Sequence, residues 1–335
     1  MFLLIVLAVE AMSQLLFAAR YGRFPWAAER FNVRAFMQPV DDARHITMIP
    51  NFADPNYEGH GISSDAWGFR RGTHATHPSC PNVVFIGDSV PFGWGVPDTA
   101  TMSSKFFDRM RIAGTPRCVV NAAIPSYSLF QAVARLELEI LGKIKADAVY
   151  LQVYDPVWHF VVFGPRWKPE SDWTTAPVLL STRIELPLSR YSASIAILQR
   201  AVDRWWNRVD DVELFPPVDS KSMMQFRLAI RGELGHLHNL ILRAGVKQLI
   251  VAPLTVPPSS YGSLSGGHRL VVDALNDELY QFAAANQDTI FADTIEWLSR
   301  MPESEVFIDA CCHLSERAND VIAEHLVQLL QQNPR

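Results

Sequence analysis

The sequence predicts an α/β fold on a mainly parallel, doubly wound sheet. Three observations predict it. Short, β-rich apolar runs recur along the chain, each bounded by turn residues. Helical, amphipathic stretches separate them, which is the rhythm of βαβ units. Polar residues stand just past the ends of the runs, where open α/β sheets place their ligands. With 335 residues, 49% of them apolar, the chain is long enough for one large domain or a domain with an insertion.

The first core strand is Val83–Ile86, and it stops at Gly87-Asp88-Ser89. Asp98 or Thr99 is placed to cap a helix to about Ile112, with Met102, Phe106, Phe107 and Met110 on one face. Cys118–Ala123 is the second strand and Ile124-Pro125-Ser126-Tyr127 a turn. Ser128 or Tyr127 opens a helix to about Lys145, and Ala148–Val153 is the third strand. After a Trp- and Pro-rich segment, a helix is expected over Lys221–Ala244 and a strand over Gln248–Pro253. A Gly/Ser loop at Ser259–Gly267 precedes a helix over Arg269–Asn286, and Thr289–Asp293 is the fifth strand. Thr294–Arg300 is a short helix, Phe307–Ser315 a loop led by an apolar run, and a last helix reaches about Gln331.

Three segments flank or interrupt that domain. Residues 1–22 are mainly apolar, interrupted by Glu10 and followed by Arg20 and Arg23, and read as a membrane anchor or signal-like helix. The competing reading is an amphipathic helix packed on the domain. Residues 23–80 form an irregular lead-in, with an ordered loop or edge hairpin at His60–Arg71. In it Arg70 or Arg71 is a candidate contact for an anionic group, with a solvated charge pair as the expected reading. The domain itself spans 81–332, and its insertion covers about 156–217 with Trp158, Trp167, Trp173, Trp205 and Trp206.

The net charge of −5 and the lack of any basic block argue against nucleic acid as a partner. Cys80, Cys118, Cys311 and Cys312 show no zinc-ligand spacing, so no metal site is expected. Cys80 and Cys118 each precede a strand. They pair in an oxidising compartment if the strands are neighbours, or else stay buried thiols. No glycine-rich phosphate loop follows a strand, so nucleotide binding is a weak reading.

A serine hydroxyl needs a base within hydrogen-bond reach, and the base needs an orienting acceptor. Ser89 at a strand end is the candidate nucleophile. His313, in a loop before the last helix, is the candidate base, and Asp309 the acceptor. Oxyanion donors are sought in the Ser89 and Ser126 backbone N–H groups and in a side chain ending the third strand.

Those residues carry a resemblance. Phe85-Ile86-Gly87-Asp88-Ser89 with Phe92-Gly93-Trp94-Gly95, then Asn121–Ser126, Val153-Tyr154-Asp155, and Asp309 through His313-Leu314 resemble the SGNH/GDSL-type serine hydrolases over about 80–330. Asp65–Arg70 and the apolar start are similar to bacterial membrane-anchored members. The resemblance implies a flavodoxin-like three-layer α/β/α fold with a five-stranded sheet and a Ser89–His313–Asp309 triad. It implies hydrolysis or transfer of a small acyl ester without metal or organic cofactor. O-acetyl groups of an envelope glycan or a lipid ester are the expected substrates, on the periplasmic side of a membrane. Three positions depart from the family pattern. Ser126 stands where glycine is usual, Tyr154 stands where the oxyanion asparagine is usual, and Asp309 lies four residues before His313 where three is usual. These departures motivate a rival expectation, a catalytically degenerate binding or assembly protein of the envelope on the same scaffold.

Overall fold

The computed structural model describes residues 9–16, 36–44, 46–55, 57, 60–73, 82–115, 117–153, 219–263, 266–309 and 311–333. The lead-in enters as two short antiparallel pairs. β1 (Met37–Pro39) pairs with β2 (Ile46–Met48), and β3 (Ala53–Asp54) with β4 (Ile62–Ser63). The segment expected to be irregular thus carries two hairpins where it is described. They are docked on the main domain by an antiparallel bridge between Arg70 and Asn121, by Tyr127 donating to the Ile46 carbonyl, and by an Arg44–Glu139 ion pair of 2.8 Å.

The central sheet follows: β5 (Asn82–Gly87), β6 (Cys118–Asn121), β7 (Ala146–Gln152), β8 (Gln248–Val251) and β9 (Thr289–Phe291). The strands lie in the order β6-β5-β7-β8-β9, and every pairing is parallel. That is the flavodoxin-like order, a three-layer α/β/α arrangement.

Strand periodicity sorts the core into two layers. Val84, Ile86, Val120, Val149, Leu151, Leu249 and Val251 face the helices Leu129–Arg135, Ser220–Ala244 and Gly266–Ala285. The alternate residues Val83, Phe85, Val119, Ala148, Tyr150 and Ile250 face Met102–Ile112 and Glu316–Gln332. With helices on both faces, a strand such as β5 is buried at every position and reads as one apolar run. Each large side chain so buried contributes about 1.5–3 kcal/mol.

Local capping moved several expected boundaries. Asp98 and Thr99 form a separate 3-10 turn, Asp98–Ala100. Thr101 caps Met102–Ile112, its hydroxyl accepting the Ser104 N–H at 3.2 Å. Ser128 does open its helix, through a reciprocal capping box with Gln131. The α-helical part ends at Arg135, and Leu136–Ile140 continues as a π-helical segment. The expected loop at 259–267 includes a helix, Pro258–Ser263, with proline in its favoured first position.

Residues 9–16 are helical; the rest of the expected anchor lies outside the described residues. Among the described residues no helix is long and apolar enough to cross a membrane. The insertion at 156–217 also lies outside them. Cys118 is disulfide-bonded, Cys311 and Cys312 are free thiols, and Cys80 lies outside the described residues.

Candidate active site

Ser89 sits at the carboxyl end of β5, between β6 and β7, where the strand order reverses. Ligands of open α/β sheets bind at that switch point. Gly87 allows the chain to leave the strand so tightly. Its φ is 137°, and a Cβ there would stand 1.8 Å from the Gln152 carbonyl oxygen. Asp88, wholly buried, caps the short helix Ser89–Phe92 and accepts the Val90 N–H at 3.0 Å. The cap aims Ser89 away from the sheet as the first helical residue, so its own N–H has no intrahelical acceptor.

His313 and Asp309 arrive from the far end of the chain on a tight loop. Phe307 and Leu314 bridge its base, and the Ile308 N–H donates to the His313 carbonyl at 3.0 Å. Asp309 organises the loop from within. Its Oδ1 accepts the backbone N–H groups of Cys311 (3.0 Å), Cys312 (3.2 Å) and His313 (3.3 Å). Its Oδ2 is hydrogen-bonded to His313 Nδ1. The four-residue Asp–His spacing is therefore closed by three backbone N–H groups that converge on the carboxylate. A carboxylate at Nδ1 makes that nitrogen the protonated one and leaves Nε2 as acceptor. Nε2 lies 2.9 Å from Ser89 Oγ. Burial pushes Asp309 up, but the His313 hydrogen bond and charge, and the Cys311 and Cys312 N–H groups, outweigh it and hold the carboxyl down at about 2.

Ser126 lies in a type II turn. The Tyr127 N–H donates to the Ile124 carbonyl at 3.1 Å, Pro125 fills the second position, and Ser126 has φ 66°. The third position of such a turn requires positive φ, which explains why glycine is the easier residue there. The turn is tied beside the nucleophile by the Ile124 N–H, which donates to the Gly87 carbonyl at 3.0 Å. Tyr154, the expected third oxyanion group, lies outside the described residues.

Two residues at the site stand within the resembling motifs, yet the sequence assigns them no role at the site. Arg70, expected in solvent, has a wholly buried side chain. Its guanidinium donates to the carbonyls of Phe92 (2.8 Å), Gly93 (2.5 Å) and Val96 (2.7 Å), and to Asp98 Oδ1 (3.0 Å). Asn121, at the end of β6, donates to the carbonyl of Pro91 at 3.0 Å. Backbone acceptors carry no sequence signature, so the sequence does not mark Arg70 as inward-facing.

The rim is partly apolar. The Trp94 ring lies 6.2 Å from the His313 ring, and Ile308 packs on Gly95, where a Cβ would meet its Cδ1 at 2.1 Å. Cys312 is buried beneath the loop. Its hydrogen bond with Cys311, its burial and the nearby Asp88 and Asp309 carboxylates hold its thiol well above the ordinary range, so it is no rival nucleophile. Among the described residues no cluster of His, Cys, Asp and Glu could hold a metal ion.

No protein-family model matches the sequence, and no curated relative does. Solved structures do resemble it. A lipase/acylhydrolase from Enterococcus faecalis is 13% identical, with 76% of this chain and 96% of that chain covered and a TM-score of 0.47. An α/β hydrolase enzyme from the metagenome of Lake Arreo, Spain, is 12% identical, with 76% and 95% covered and a TM-score of 0.46. A variant of an acetyl xylan esterase from Geobacillus stearothermophilus is 15% identical, with 74% and 93% covered and a TM-score of 0.44.

Proposed function

We propose that the chain is a serine esterase of the SGNH type that hydrolyses or transfers a small acyl ester. The observation that carries this reading is the unbroken hydrogen-bond relay from Ser89 Oγ through His313 to Asp309. Ser89 Oγ attacks the ester carbonyl while His313 Nε2 takes its proton. Asp309 stabilises the imidazolium that results. The oxyanion of the tetrahedral intermediate is met by the Ser89 and Ser126 N–H groups, with Tyr154 as third donor. His313 then protonates the departing alkoxide. Water, or an acceptor hydroxyl, regenerates Ser89 by the reverse path.

The acyl donor we favour is an O-acetyl group on an envelope glycan or a lipid ester, reached from a membrane-anchored, extracytoplasmic position. The disulfide at Cys118 supports an oxidising compartment. The apolar start, residues 1–22, supports the anchor.

The test is turnover of p-nitrophenyl acetate by the full chain, with covalent labelling by a fluorophosphonate. Wild-type protein is expected to turn over and to label at Ser89. Ser89→Ala should do neither while keeping its circular dichroism and melting temperature. Full activity in Ser89→Ala overturns the mechanism. A wild-type chain that is folded, inert and unlabelled favours the degenerate binding protein.

A further inference from the structure

We propose that Arg70 is a positioning residue for the nucleophile turn: its guanidinium holds two consecutive peptide planes whose N–H groups grip the Ser89 carbonyl. The inference rests on the serine-esterase reading and adds a residue to it.

A peptide bond is planar, so its carbonyl and its N–H turn together. The Phe92 carbonyl and the Gly93 N–H belong to one plane. The carbonyl accepts from Arg70 Nη1 at 2.8 Å, and the N–H donates to the Ser89 carbonyl at 3.2 Å. The Gly93 carbonyl and the Trp94 N–H belong to the next plane. That carbonyl accepts from the same Nη1 at 2.5 Å, and its N–H donates to the Ser89 carbonyl at 3.0 Å. One guanidinium nitrogen therefore sets the direction of both N–H groups that hold Ser89 from behind. Nη2 pins the Val96 carbonyl at 2.7 Å, where the loop leaves, and Nε meets Asp98 Oδ1 at 3.0 Å. Asp98 is held in turn by Ser63 Oγ at 2.5 Å, so the lead-in hairpin buttresses the clamp.

Asn121 completes the arrangement one peptide earlier. Its Nδ2 bonds the Pro91 carbonyl at 3.0 Å, and the Phe92 N–H of that plane bonds the Asp88 carbonyl at 3.1 Å. The Asp88 carbonyl shares its peptide with the Ser89 N–H, the first oxyanion donor. Asn121 is itself bridged to the Arg70 backbone, Arg70 N–H to Asn121 carbonyl, at 3.0 Å.

Two features separate positioning from plain packing. Burying a charge is costly unless it is paired and hydrogen-bonded, and an apolar side chain fills such a space at least as stably. Here the charge is aimed at carbonyl oxygens, which polarises each peptide and strengthens its N–H as a donor. The fork of donors in fixed directions is a property of arginine that lysine lacks.

The experiment compares Arg70→Gln, Arg70→Lys and Asp98→Asn with wild-type chain on p-nitrophenyl acetate, with rates normalised to Ser89 titrated to completion by fluorophosphonate. Arg70→Gln should lower kcat about 10- to 100-fold, the scale of sub-ångström misplacement of a reacting group, with KM within about twofold. Arg70→Lys should recover part of that loss, and the pH profile should keep its shape because His313 and Asp309 are untouched. A lowered melting temperature with kcat per titrated serine unchanged overturns the proposal and leaves Arg70 structural. Should Arg70→Gln fail to fold, Asp98→Asn decides. It keeps the carbonyl contacts but removes the negative charge facing Nε, and should cost kcat about three- to tenfold; an unchanged kcat overturns the proposal. An inert, unlabelled wild-type chain refutes the esterase reading instead, so the two failures are told apart.

Discussion

Asp309 and His313 are joined twice: one carboxylate oxygen accepts the histidine's backbone N–H at 3.3 Å and the other meets its imidazole Nδ1. The double link makes the loop and the ring orientation a single unit. Asp309→Asn should keep the fold but present an amide where the imidazolium needs a charge. We expect kcat for an activated acetyl ester to fall on the order of 10³- to 10⁴-fold. Steady-state kinetics check it, and a loss under tenfold would mean that His313 works without its partner.

Ser126 holds a backbone conformation that L-residues adopt at a cost of about 1–2 kcal/mol. Ser126→Gly should therefore keep the backbone donor, hold kcat within about threefold and leave thermal stability equal or higher, since glycine's extra unfolded-state entropy offsets part of the relief. Ser126→Val should lose both stability and kcat, because a β-branched residue resists positive φ. Melting curves and kinetics on the two variants check the pair.

Gly87, at the end of β5, faces Gln152 of β7 with no room for a side chain. Gly87→Ala would drive a Cβ to 1.8 Å from the Gln152 carbonyl oxygen at a φ of 137°. The backbone must part there, at a cost of about 3–5 kcal/mol from overpacking and strain together. Chemical denaturation should show that loss, and any folded fraction should label poorly at Ser89. Near-wild-type stability would show that the strand end is looser than its geometry implies.

Glu233, on the helix Ser220–Ala244, is raised to about 7 by burial and by the Glu137 carboxylate, against the pull of His236. A carboxyl raised on folding binds its proton more tightly in the native state. Its contribution is therefore intact below the unfolded-state value, near pH 4, and is lost as pH rises through 7. Glu233→Gln should match wild type at pH 4 and be more stable at pH 8 by about 1–3 kcal/mol. Melting temperatures at the two pH values check it, and a difference independent of pH refutes it.

The sheet was legible in the sequence because a parallel strand covered on both faces must be apolar throughout, as in Val83–Ile86. Helix starts were legible where a short polar side chain had one nearby N–H to accept, as at Ser128. They were misplaced where two candidates competed. Thr101 won over Asp98 and Thr99 because Pro97 begins a 3-10 turn that uses the earlier residues.

The sequence by itself determined the succession of strands and helices along the chain and marked Ser89, Asp309 and His313 as candidates, since hydrophobic period and strand-end chemistry are local properties. Tertiary structure alone decided how the departures are absorbed. Asp309 tolerates its longer spacing because three consecutive N–H groups converge on one carboxylate oxygen, and Ser126 replaces glycine because a proline-led turn enforces its dihedral. It also decided the fate of Arg70. A cation is expected in water unless distant acceptors surround it, and the carbonyls of Phe92, Gly93 and Val96 come into range only when the lead-in hairpins fold against the sheet. Contacts between segments 20 or more residues apart depend on the path of the whole chain, and backbone carbonyls, present at every residue, leave no mark in sequence.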